Sequence, residues 1–159
     1  MEFNVAALTA LCLGFSVGFL FVISYIERPI LPALSVPERA VEYEEDIRGI
    51  HAFLAAFISH GGPHLLIPFL LAATGFSVWQ TVTRSFDVPS LFVMVGLIII
   101  LAVLIAVALP AGRKVAEVGA YDEELEDVSK ALFRLVRLHH NAFLALMPLC
   151  AAQIIILFL

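Results

Sequence analysis

Four stretches of this chain carry no Asp, Glu, Lys or Arg: Phe3 to Ile26, Gly49 to Thr83, Val88 to Gly112 and Leu138 to Leu159. A helix needs about 20 apolar residues to cross a hydrocarbon core of roughly 30 Å. Each stretch reaches that length. A soluble helical bundle would need a polar outer stripe on every helix, and these segments have none. The chain is 62% hydrophobic and 14% charged, against about a quarter charged in soluble domains. The fold class that follows is an all-α, integral membrane four-helix bundle. It forms one domain over residues 1–159, with spans about 4–26, 50–82, 88–110 and 132–158.

The first stretch reads as a retained span rather than a cleaved leader. Its start, Met1-Glu2-Phe3-Asn4, has no basic residue, and the apolar run continues unbroken to Ile26. Net charge is −5, which disfavours nucleic acid as a partner. Cys12 and Cys150 both lie inside apolar spans, where thiols act as packing residues.

Basic residues set membrane orientation. The loop at residues 27–49 holds Arg28, Arg39 and Arg48. The loop at 111–131 and the base of the last span hold Arg113, Lys114, Lys130, Arg134 and Arg137. The opposite side has only Arg84. Both loops are therefore expected in the cytoplasm and both termini outside, in a multi-pass protein of a bacterial inner membrane.

The second stretch is too long for a simple span. Its 35 residues would make a helix of roughly 50 Å. Gly61-Gly62-Pro63 interrupts it, and proline lacks the amide donor and clashes with the preceding turn. The span is expected to be kinked or broken there. Either residues 50–59 lie along the interface and 64–82 cross, or one long helix bends.

Polar residues inside spans are costly and often functional. Five histidines stand out. His60 and His64 are four apart and would share a face on a continuous helix. His139 and His140 open the last span, and only one of them can point at a given partner. His51 lies near the acidic end of the first loop. Haem b held by imidazoles from two spans is one chemistry this allows. A divalent metal, zinc or iron, with Glu27 or a loop carboxylate as an added ligand is a second. A general base without any cofactor is a third. His60, His64 and His140 are the candidate catalytic groups, with His139 as the alternative to His140. As packing residues, the same side chains would simply hydrogen-bond to backbone or neighbouring spans.

Lys130, Arg134, Arg137 and Asn141 follow spacings that place them on one helix face. Arg134, Arg137, His139 and Asn141 could bind a quinone-like or anionic head group through directed donors. Arg134 and Arg137 could equally snorkel to lipid head groups. Thirteen phenylalanines could line a pocket for a flat aromatic ligand. No P-loop, nucleophile elbow, Cys-x-x-Cys or dinucleotide fingerprint is present.

The layout carries a resemblance. A small-residue first span (Gly14-Phe15-Ser16-Val17-Gly18) leads into Glu27-Arg28-Pro29-Ile30-Leu31-Pro32. The third ends in Ala108-Leu109-Pro110-Ala111-Gly112-Arg113-Lys114, and an acidic loop precedes Arg137-Leu138-His139-His140-Asn141. This plan resembles the anthrone-oxygenase-like family of small four-span membrane proteins. The resemblance implies oxidation of an anthrone to an anthraquinone by dioxygen without an evident cofactor. It matches Arg137 and His140 loosely, and Pro110-Ala111-Gly112-Arg113 in part.

The expected function is a site for a hydrophobic aromatic or quinone-like molecule in the cytoplasmic half of the bundle. Two alternatives stand beside it: an accessory subunit packed against other membrane subunits or copies of itself, and a haem- or metal-binding redox protein. Gly14 and Gly18 are expected to allow close helix approach.

Overall fold

The computed structural model describes residues 4–158, apart from the side chain of Pro37. The described residues are helical, with no strand among them. In chain order the elements are α1 (Val5–Glu27), α2 (Leu31–Leu34), α3 (Pro37–Glu42), α4 (Glu44–Ser59), α5 (Pro63–Thr83) and α6 (Val88–Val103). A π-helical turn (Leu104–Ala108), α7 (Leu109–Glu117) and α8 (Leu125–Ile156) follow. Four continuous helical segments are long and apolar enough to cross a membrane: Val5–Glu27, Pro63–Thr83, Val88–Glu117 and Leu125–Ile156. The chain is a multi-pass membrane protein by that measure.

Local sequence explains where the helices start and stop. The Asn4 side chain accepts from the Ala7 amide at 3.2 Å and caps α1. Asp87 caps α6, accepting from Ser90 N at 3.0 Å and from the Arg84 guanidinium at 2.8 Å. That cap and ion pair hold Asp87 below the usual carboxylate pKa. The preceding turn is tight, with Ser85 and Phe86 both at positive φ (54° and 62°), a region L-residues enter only when held there.

The helix that could have run from 44 to 83 is two helices. α4 ends at Ser59 and α5 starts at Pro63. Gly61 takes φ +91°, which favours glycine, and Pro63 sits in the first turn of α5, where its missing N–H costs nothing. The second candidate span is therefore Pro63–Thr83, shorter than the 50–82 stretch read from charge alone.

α1 packs on α5 and α8, and α6 packs on the same two helices from the other side. Their shared interior is a cluster that includes Leu13, Leu20, Leu70, Ala73, Val93, Leu97, Leu146 and Leu149. Lipid tails are as apolar as leucine, so van der Waals fit holds this part together rather than water exclusion. Close approach occurs at Gly96, where a Cβ would lie 2.6 Å from Leu149 Cδ2. Gly14 and Gly18 do not serve this purpose. Both are exposed, and a Cβ on either would meet nothing within 4 Å.

At 32 residues, α8 is about 48 Å long, well over the hydrocarbon thickness. Its excess lies at the end where α2, α3, α4 and α7 gather, all of which touch α8. There a second cluster forms from Ile30, Ala33, Ile47, Leu54, Val115, Val128, Leu132 and Leu135. Arg48 fastens α4 to the acidic loop: its Nη1 donates to the carbonyls of Ala120 (2.5 Å) and Glu123 (3.2 Å), and its Nε pairs with Glu44 at 2.8 Å.

Candidate functional site

The bundle opens on the side of this second cluster into a cavity of about 600 Å³, inside the range of small-molecule sites. Its walls are mostly apolar and include Phe19, Phe57, Leu66, Leu70, Ile100, Leu104 and Ala142. Four polar side chains join them: His64 at the start of α5, Arg113 on α7, and His139 and Asn141 on α8. Local chain chemistry shapes the cavity. Pro110 has no amide to donate, and the π turn just before it contributes Leu104 and Ala108 to the wall. Gly62 lines the opposite side, where a Cβ would fall 2.0 Å from the Phe57 ring.

His139 lines this cavity and is tied to a buried carboxylate. Its Nδ1 lies 2.6 Å from Glu27 Oε1, across 112 positions of sequence. Glu27 is 1% exposed. A carboxylate behind an imidazole fixes the ring's orientation and tautomer: Nδ1–H donates to Glu27 and Nε2 is left as the basic nitrogen. Glu27 Oε2 is buried with no hydrogen-bond partner among the described residues.

The remaining sequence candidates are distributed around this centre. His64 and Asn141 share the cavity with His139, whereas His140 lines a different cavity of about 410 Å³ together with Ser24 and Glu27. His60 is exposed, hydrogen-bonds the Ala56 carbonyl through Nδ1 at 2.7 Å, and is not among the residues lining either cavity. The helix break at 60–62 removes the shared face that would have paired it with His64. Arg134 and Arg137 are exposed, line neither cavity and form no ion pair among the described residues; Lys130 pairs with Glu126 at 2.6 Å. Among the described residues, no group of three or more His, Cys, Asp or Glu side chains is gathered.

Two arrangements depend on tertiary packing that local sequence does not specify. His51 is fully buried, and neither ring nitrogen has a partner among the described residues. Burial, and then the charge of Arg48, lower its pKa from the ordinary histidine value. At the far end of the bundle, Gln80 and Gln153 pair side chain to side chain. Gln153 Nε2 donates to Gln80 Oε1 at 2.8 Å and to the Ala6 carbonyl at 2.9 Å. Gln80 Nε2 donates to Gln153 Oε1 and to Ser90 Oγ, both at 3.3 Å. One network thus ties α1, α5, α6 and α8. Intramembrane glutamines were the available signal, but their partners are 73 positions apart.

No protein-family pattern, curated protein or solved structure matches this chain.

Proposed function

We propose that this membrane protein binds a hydrophobic aromatic or quinone-like molecule in the larger cavity, with His139 as proton acceptor and Glu27 as the group that positions it. The observation that carries the reading is the His139–Glu27 pair at the edge of a mostly apolar cavity of about 600 Å³. Apolar walls would hold a flat ring system, and Phe19 and Phe57, 5.9 Å apart, would offer it aromatic faces. His64, Arg113 and Asn141 would supply directed donors to a carbonyl or phenolate oxygen.

The reaction class this favours is proton abstraction from an acidic C–H or O–H. With an anthrone, Nε2 of His139 would take a proton from the methylene carbon between the rings. The carbanion would then react with dioxygen, giving the quinone and water without a bound cofactor. This is the activity implied by the family the layout resembles. The preponderance of basic residues on the loop side supports placing the site toward the cytoplasm, with both termini outside.

The test is binding and turnover of an anthrone and a naphthoquinone by detergent-purified protein. His139→Ala is expected to abolish turnover, Glu27→Gln to lower it strongly, and His60→Ala to leave it unchanged. Full activity in His139→Ala would refute the assignment.

A second reading is favoured by one observation. Only 11% of the most apolar window of Val88–Glu117 is buried, against 33% for Val5–Glu27 and Pro63–Thr83. That helix would be the contact face in a larger membrane complex or homo-oligomer. A stoichiometric partner surviving mild detergent would support it; a monomer of chain mass would count against it.

A further inference from the structure

The smaller cavity has a chemistry of its own. It shares no lining residue with the larger one. Glu27 reaches it while its Oε1 is held by His139, and Oε2 is buried without a partner. Ser24, nearly one turn earlier on α1, lines the same cavity with a buried hydroxyl that also lacks a partner. A carboxylate removed from water with a single hydrogen bond is costly unless a cation answers it. Three aromatic rings share the wall: Phe21 lies 6.3 Å from Tyr25 and 5.7 Å from Phe143 between centroids. Aromatic faces around a carboxylate suit an ammonium group. Arg28, next in sequence to Glu27, lines the cavity and is exposed, with a guanidinium fork shaped for phosphate.

We propose that this cavity is a binding site for an ammonium group joined to a phosphate, the pairing carried by an aminoalcohol phospholipid headgroup. The ammonium sits against Glu27, Ser24 and the three rings, and the phosphate meets Arg28. The location suits a headgroup: Ile26 is the last residue of the first charge-free stretch, and Glu27 and Arg28 are the first charges after it.

The full-length protein, purified in mild detergent, is titrated with short-chain phosphatidylethanolamine, phosphatidylglycerol of the same chains and free phosphoethanolamine. Retained ligand is read by native mass spectrometry. Phosphatidylethanolamine is expected to stay bound and phosphatidylglycerol to be lost. Phe143→Leu and Ser24→Ala each weaken retention, the former by about tenfold. Because Phe143 and Ser24 do not line the larger cavity, naphthoquinone binding there is unchanged in both variants, so the two readings fail separately. Free phosphoethanolamine binding as tightly as the lipid supports the site and assigns it a soluble ligand. Equal retention of both lipids, or unchanged phosphatidylethanolamine retention in both variants, overturns the proposal.

Discussion

The two ends of the bundle treat buried polar groups in opposite ways. At the end bearing Asn4 and Ile156, Gln80, Gln153, Ser90 and the Ala6 carbonyl form a network in which both amide groups use both hydrogens and both oxygens. At the other end lie all the buried side-chain atoms without a partner among the described residues: Ser24 Oγ, Glu27 Oε2, both nitrogens of His51 and Ser129 Oγ. Each such atom costs about 1–3 kcal/mol unless water or a ligand answers it. A satisfied network fixes helix register and stops there. Two of the unanswered groups, Ser24 and Glu27, line the smaller cavity, and Glu27 is paired with His139 of the larger one. One end satisfies its buried polar groups, and the other leaves several without a partner among the described residues.

That contrast can be broken most sharply at His139. His139→Asn, which keeps an N–H for Glu27 near the Nδ1 position but removes the basic Nε2, is expected to reduce turnover at least a hundredfold while leaving the unfolding midpoint in detergent almost unchanged. A large stability loss would mean that the pair is structural. The reverse pattern is expected at the locked end. Gln153→Leu removes three hydrogen bonds and leaves Gln80 Oε1 without its partner, at about 2 kcal/mol. Denaturant unfolding should show the loss while ligand binding persists.

His51 offers a smaller test, with a pH signature. Its pKa is lowered in the folded state, so the unfolded chain takes up the proton first as pH falls. Stability is then complete above the ordinary histidine pKa of about 6.5 and declines as pH drops below it. His51→Leu should flatten that decline and raise the midpoint at pH 5.5; an unchanged pH profile would remove His51 as its source. The smallest effect is expected at Asp87→Ala, which removes the α6 cap for about 1 kcal/mol. Thermal unfolding at neutral pH would check it. Because the Asp87 pKa is depressed, the difference between variant and parent should vanish as pH falls through the folded-state value of Asp87.

Segregated charge made the four spans legible, because hydrocarbon excludes Asp, Glu, Lys and Arg whatever the details of packing. It blurred boundaries where a polar limit was missing. Nothing charged separates Ile50 from Thr83, so α4 and α5 merged into one stretch, although Gly61-Gly62-Pro63 marked the break. The site was legible only as a set of histidines. Which of them meet depends on helix rotation and on partners far apart in sequence, as with Glu27 and His139. The glycines show the same limit. Small residues at 14 and 18 suggested close packing, yet it is Gly96 that admits a neighbour, because a glycine's role depends on which face its helix turns inward.

The most direct measurement of the central claim is equilibrium binding of a naphthoquinone to the parent protein and to Ala142→Trp, which places an indole in the larger cavity. The parent is expected to bind one molecule, and the filled variant, folded to the same helix content, to bind none. Undiminished binding by Ala142→Trp would show that the ligand sits elsewhere and that the His139–Glu27 pair does not serve it.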